Sequence, residues 1–213
     1  MGQKINPKGF RLGTVFTWSS RWFSDKRQYK TLFLADVKLR QALFGRLKTA
    51  GLAQVDIERS INKIKVSLHV ARPGMVIGRG GTGLEELKKY TETLLGAQHS
   101  AGRLKVDVTV EPVKEPNLRA YLVAMSIADQ LAKRMPHKRI ANQSIERVMT
   151  AGAKGVRILL SGRIAGAEIA RRERFQAGTV PLSTIREDVD FAAVPAVTRS
   201  GYVGIKVWIC RKT

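Results

Sequence analysis

Apolar residues recur at helical spacing over residues 25–48, where Leu32, Leu39, Leu43 and Leu47 form one stripe with Phe33 and Val37 beside it. This spacing predicts an amphipathic helix, with Ser24 placed to cap its start and Gly51 to end it. The period then drops to two. Val55 and Ile57, and then Ile64, Val66, Leu68 and Val70, alternate with polar residues on either side of Ser60-Ile61-Asn62, which predicts a β-hairpin. Pro73 and Gly74 break the second strand. Helical spacing returns over residues 82–95 through Leu84, Leu87, Leu94 and Leu95, with Gly96 as the expected C-cap, and residues 104–111 alternate again through Leu104, Val106, Val108 and Val110.

The polar segment around residues 112–116 carries Pro112 and Pro116 and predicts a linker. Beyond it, Asn117 can cap a helix that reaches Arg134, Pro136 interrupts, and a second helix over residues 138–151 ends at Gly152. Strands are expected over residues 155–163, 168–177, 185–192 and 202–211. In the last, Val203, Ile205, Val207 and Ile209 form the core face, while Tyr202, Lys206 and Trp208 point the other way. Two helices followed by antiparallel strands make an α+β layer. The expected division is an extension (1–24), a first domain (25–111), a linker (112–116) and a second domain (117–213).

Charge changes the picture most. The 213 residues carry a formal net charge of +21, yet 44% are hydrophobic, so the chain can build cores and still present a strong positive field. Such a field calls for a polyanion, and nucleic acid fits because Lys and Arg displace counterions condensed on phosphates. A membrane partner would need an apolar anchor, and no apolar run approaches the roughly 18 residues of a spanning helix. The amino terminus also lacks an apolar signal segment, so a soluble, cytoplasmic protein is expected. Cys210 has no second cysteine with which to pair and is expected to pack as a small hydrophobe; His69, His99 and His137 stand too far apart in sequence for ligand spacing. No metal and no cofactor is expected.

Within residues 1–24, Lys4, Lys8, Arg11 and Arg21 alternate with Phe10, Phe16, Trp18, Trp22 and Phe23. Such rings either stack on exposed RNA bases or cover a neighbouring core. Between residues 133 and 174, eleven Lys and Arg residues face only Glu146, Glu168 and Glu173, an imbalance unlike a solvated face of mixed sign. Arg163 and Arg171 either pair with Glu168 or Glu173 or meet RNA. Arg172 and Arg174 flank Glu173 and on a strand share one face, the preferred RNA surface.

Residues 76–83, Val-Ile-Gly-Arg-Gly-Gly-Thr-Gly, fit two motifs. Gly78, Gly80 and Gly83 match a dinucleotide-binding fingerprint, but six residues separate them from the preceding strand and Arg103 stands where an acid should meet the ribose. Gly78-Arg79-Gly80-Gly81 also fits the G-x-x-G loop of a KH domain, whose glycines allow a tight turn and let the backbone approach a phosphate. The order helix, strand, strand, short helix, G-x-x-G, helix, strand is that of the type II KH fold and favours the second reading.

Longer strings carry a resemblance. Met1 to Gly13, Arg72-Pro73-Gly74 through Gly81, Gly152-Ala153-Lys154-Gly155, Ser161-Gly162-Arg163, Gly166 to Arg171, Pro181-Leu182 and Gly204 to Ile209 together resemble the bacterial-type small-subunit ribosomal protein three family from end to end. The resemblance implies an N-terminal type II KH domain and a C-terminal α+β domain. It implies a constituent of the small-subunit head that binds small-subunit rRNA, lies near ribosomal proteins ten and fourteen, and lines the channel where messenger RNA enters. It assigns Lys138 and Arg139 to incoming mRNA, with uncharged Asn142 at the third matching position; Gly80 likewise replaces a residue that is often basic, leaving Arg79 alone in the loop. Gly78, Arg79, Gly80 and Gly81 are the candidate KH contacts. The candidate rRNA contacts are Lys4, Lys8, Arg11, Lys154, Arg163, Arg171, Arg172 and Arg174.

An enzyme would need a nucleophile elbow, a zinc-protease string or a phosphate-binding lysine motif, and the sequence contains none of these. A free-standing KH regulator would share the RNA chemistry. Co-sedimentation with small ribosomal subunits separates that role from a ribosomal one.

Overall fold

The computed structural model describes residues 4–60, 63–96 and 105–212. Ile61, Asn62, His99, Arg103 and Leu104, which figured in the sequence reading, lie outside the described residues. The chain forms two compact units: Trp18–Lys114, and a second in which the segment up to Thr17 joins residues from Glu115 onward. The residues read as one extension are therefore divided between the units.

In the first unit, helix α2 (Lys26–Arg46) is followed by strands β2 (Leu52–Arg59) and β3 (Lys63–Val70), short helix α3 (Pro73–Ile77), helix α4 (Thr82–Gly96) and strand β4 (Lys105–Pro112). The two-residue strand β1 (Ser20–Arg21) adds to the edge, giving sheet order β1-β2-β3-β4 with β2 and β3 antiparallel and the outer pairs parallel. Leu39, Leu43 and Leu47 of the predicted stripe are buried and pack on Val55, Ile57, Val66 and Leu68 from the sheet. Burying Leu43 completely contributes about 1.5–3 kcal/mol. Asp25, not Ser24, occupies the N-cap position, and neither side chain caps the helix amides. The link to β1 is instead tertiary. Asp36, buried on α2, accepts the Trp22 indole N–H at 2.8 Å, the Ser20 hydroxyl at 3.3 Å and the Arg59 Nε at 2.9 Å. Trp22 is thus drawn against the fold, whereas Trp18 and Phe23 stay exposed at 67% and 93%.

The second unit carries helix α1 (Pro7–Phe10), helices α5 (Ala120–Ala132) and α6 (His137–Thr150), and strands β5 (Gly155–Gly162), β6 (Arg171–Gly178), β7 (Val189–Thr198) and β8 (Gly201–Cys210). The sheet is wholly antiparallel, in the order β6-β5-β8-β7. Ile127, Ile140 and Val148 from the helices pack on Val156, Ile158, Leu160, Ile205, Val207 and Ile209. Two strands are displaced from their expected positions. β6 starts at Arg171 because Ile164–Gly166 forms a 3-10 turn, and β7 starts at Val189 because residues 179–188 run as a loop along the sheet. That loop covers part of the outer face: Trp208 points away from the helices as expected, yet is buried with Val189, Cys210, Val180, Leu182 and Phe191. Burial pushes the Cys210 thiol up to about 11, so it stays protonated at neutral pH.

Asp190 organises this unit. Asn117 lies in a 3-10 turn and does not cap α5; the Ala120 amide at the helix start donates to the Asp190 carboxylate from β7 at 2.9 Å. The same carboxylate meets Lys8 of α1 at 2.8 Å and Arg211 at 3.4 Å. Burial raises the Asp190 pKa, but Lys8, the Ala120 amide and Arg211 together outweigh it and hold the carboxyl below its ordinary value. A depressed folded-state pKa stabilises above the unfolded pKa and is lost as pH falls through the folded one. Asp190→Asn should therefore destabilise the second unit by about 3 kcal/mol at pH 7. It should also lessen the loss of stability below about pH 4. Chemical denaturation from pH 2 to 7 checks both, and equal stability of the two proteins at pH 7 would contradict the assignment.

Candidate nucleic-acid interface

The KH-type loop is built by backbone conformation. Helix α3 ends at Gly78, whose φ of 72° and ψ of 179° fall in a region open essentially to glycine alone. Gly80 and Gly81 follow at φ 63° and 82°. A Cβ at Gly78 would come within 3.1 Å of the Gly83 nitrogen, and one at Gly83 within 2.6 Å of the Val76 carbonyl oxygen, so glycines also let α3 and α4 meet. At Gly80 and Gly81 a Cβ would meet nothing within 4 Å; there the constraint is conformational alone. Arg79, Gly78 and Gly80 are exposed, and Met75 and Ile77 expose apolar surface beside them. Arg79 forms no ion pair among the described residues.

Lys138 and Arg139 occupy the first turn of α6, with Asn142 one turn further on, and all three are exposed. Their spacing puts them on one side of the helix. His137 Nε2, at the helix start, lies 2.9 Å from one Glu173 carboxylate oxygen, and the Arg171 Nε lies 2.9 Å from the other.

On the second sheet, Arg172 and Arg174 of β6 share the exposed face, as their alternation predicts, whereas Phe175 and Ala177 lean into the helix-covered core. Register places Leu159 between Arg174 and Lys206, and Arg157 between Gln176 and Trp208. Arg157, Lys206 and exposed Tyr202 therefore join that face, and sequence reasoning did not include them among the candidate contacts. Their strand alternation was the available signal, but the order β6-β5-β8 that sets them beside Arg172 and Arg174 was not visible. Arg157 lies 5.1 Å from the Trp208 ring; burial, and then the neighbouring charge of Arg174, lower its pKa.

Other candidates are committed within the fold. Arg11 is fully buried, and its guanidinium donates to the carbonyls of Pro7 at 3.1 Å, Pro181 at 3.1 Å, Leu182 at 3.2 Å and Thr184 at 2.7 Å. It clamps the 179–188 loop and is corrected from an RNA contact to a structural residue. Lys8 pairs with Asp190 and Lys154 with Glu187, a hydrogen bond that raises the Lys154 pKa and lowers that of Glu187. Arg171 pairs with Glu173; Arg163 instead donates from Nε to the Ala167 carbonyl at 2.8 Å. Lys4 is exposed.

Comparison with known proteins agrees with this architecture. Residues 38–118 match the KH domain and residues 127–209 match the family described as Ribosomal protein S3, C-terminal domain. The KH match covers Gly78 to Gly81 and decides between the two readings of the glycine motif. The chain is 46% identical over 209 residues to the small ribosomal subunit protein uS3 of Desulforamulus reducens, covering 98% of this chain and 91% of the relative. It is 47% identical over 211 residues to the protein of that name from Bacillus thuringiensis strain Al Hakam, covering 99% and 93%, and 43% identical over 209 residues to that of Carboxydothermus hydrogenoformans, covering 98% and 91%. With both domains matched in order and nearly every residue aligned, this chain belongs to the uS3 family of small ribosomal subunit proteins.

Proposed function

We propose that the protein is a structural, non-catalytic constituent of the small ribosomal subunit that holds small-subunit rRNA in the head and lines the channel through which mRNA enters. The observation that carries the RNA reading is the division of its cations. Lys8, Arg11, Lys154 and Arg171 are held by carboxylates or carbonyls, while Arg79, Lys138, Arg139, Arg172 and Lys206 stand exposed without ion pairs among the described residues. Unpaired, exposed cations on an ordered scaffold are free to meet phosphate oxygens, and Arg can do so with two parallel hydrogen bonds.

Three surfaces divide the work in this reading. The loop Gly78 to Gly81 brings backbone and Arg79 to a phosphate, with Met75 and Ile77 beside it for bases. The outer face of the second sheet offers Arg172, Arg174, Arg157 and Lys206 to structured RNA, with Lys4 and Arg163 adding charge elsewhere on that unit. Lys138 and Arg139 meet the incoming message. They stand at the positive end of the α6 dipole, where each cation costs a few tenths to about 1 kcal/mol, so helix stability does not account for them. The reading brings with it a cytoplasmic location and head neighbours that include ribosomal proteins ten and fourteen.

Affinity for small-subunit RNA should fall on the order of a thousandfold between 50 and 200 mM salt if at least six phosphates are neutralised. A filter-binding series measures it, and a flat log-log plot would exclude the electrostatic mode. In the loop, Gly78 cannot be changed without backbone strain of about 1–3 kcal/mol, so Arg79→Ala is the clean variant. It should weaken single-stranded RNA binding several-fold while leaving the melting curve unchanged; undiminished binding would remove Arg79 from the site.

Changing Lys138 and Arg139 together to Ala should preserve folding and subunit assembly. It should slow ribosomes more on a message with a downstream hairpin than on an unstructured one. Asn142→Lys should speed hairpin passage or leave it unchanged. Passage times on the two messages are the measurement, and equal slowing on both by the double variant would show that these side chains do not act on structured mRNA.

A further inference from the structure

The second unit contains a cavity of about 450 Å³ to which the proposed function assigns no ligand. It lies where four segments converge: the end of α5, the start of α6, the 3-10 turn Ile164–Gly166, and the turn joining β7 to β8. Leu131, Met135 and Ile164 contribute apolar lining, and Arg134, Arg163 and Arg199 contribute charge. Its volume falls within the roughly 300–1,000 Å³ of sites that enclose a small organic group.

Two features distinguish this cavity from a packing defect. The first is charge without compensation. None of the three arginines forms an ion pair among the described residues, although the same unit pairs Lys8, Lys154, Arg171 and Arg211 with carboxylates. The second is strain. The only non-glycine residues with positive φ among those described are Arg134 at 61° and Ala165 at 57°, and both line the cavity. Arg134 terminates α5 in a Schellman motif: its amide donates to the Leu131 carbonyl at 2.9 Å and the Met135 amide to that of Gln130 at 3.3 Å. Helix α6 ends in the same motif with Gly152 at φ 93°, its amide donating to Met149 and that of Ala153 to Val148. The chain thus uses glycine for this conformation at one helix end and keeps an arginine at the other, facing the cavity. The helix-end hydrogen bonds hold Arg134 in this conformation, and non-glycine residues in it cluster at ligand clamps and other functional sites.

We propose that this cavity receives one extruded nucleotide of single-stranded RNA, with its base against Met135 and Ile164 and its phosphates held by Arg163 and Arg199. Splayed bases seated on apolar or guanidinium surfaces, with cations on the backbone, are the usual mode of single-strand recognition. An acidic peptide would use the arginines but would leave the apolar floor unmatched. The inference rests on the RNA-binding reading above and adds a site to it, at the same end of α6 as Lys138 and Arg139.

Methionine methyl resonances of the full chain test it, because Met75 reports on the KH loop and Met135 on the cavity. The probes are an oligouridylate of about eight nucleotides, inorganic polyphosphate and an acidic peptide of similar charge. Oligouridylate should shift Met135, and Arg163→Ala with Arg199→Ala should weaken the affinity read there by about tenfold while leaving that read at Met75 unchanged. Arg134→Gly, which relieves the αL strain, should raise the thermal midpoint by about 2–4 °C yet weaken the Met135 response. A shift of Met75 with none at Met135 would overturn the cavity proposal and leave the RNA reading standing; no shift at either would count against both. An equal or larger Met135 response to polyphosphate or to the peptide would overturn the nucleotide assignment.

Discussion

One buried carboxylate in each unit sets the geometry on which the rest of the protein depends. Asp36 gathers Trp22, Ser20 and Arg59 onto α2, and Asp190 gathers Lys8, the start of α5 and Arg211 onto β7. A carboxylate removed from water is tolerable only when donors surround it, so each position is an obligation on several distant segments at once. The consequence for architecture is direct. Residues 4–24 do not form a detached arm: one part is tied to α2 of the first unit through Asp36, and the other is tied within the second unit through Lys8 and the Arg11 clamp.

These ties also divide the cations by role. A chain with a net charge of +21 needs some of its positive groups for its own cohesion, and the structure shows which. Arg11 is consumed by four carbonyls and Lys154 by Glu187, whereas Arg172, Lys206, Lys138 and Arg139 remain exposed. The groups that are left over lie on a rigid sheet face and at the start of a helix, where their positions are held by the core beneath.

Glycine usage separates two kinds of site. At Gly78 the loop needs a conformation that other residues scarcely adopt, and at Gly83 it needs the missing Cβ so that α3 and α4 can meet. At Arg134 and Ala165 the chain tolerates left-handed backbone without glycine. The first pattern is a requirement of the fold and of backbone approach. The second is a local disadvantage in stability at positions lining a charged cavity.

Much of the protein was written in its one-dimensional pattern. The period-2 and helical stretches predicted the order of the elements after Asp25, though not α1 or β1, the glycine motif with its flanking elements indicated a type II KH domain, and extended strings carried the family resemblance, because these signals are local. Pairing and burial were not local. Arg11 looks like any basic residue among aromatics until the 179–188 loop supplies its carbonyls; Trp208 looks solvent-facing until the same loop covers it; Arg157 and Lys206 join Arg172 and Arg174 only through the strand order β6-β5-β8. Asn117 had the chemistry of a cap, yet the Ala120 amide at the start of α5 is satisfied by Asp190, 70 residues beyond Ala120. The sequence alone determined the main helices and strands, if not every boundary, and a positive charge that calls for a polyanion. The tertiary structure decided which charges hold the fold together and which face outward, because that depends on contacts between residues far apart in the chain.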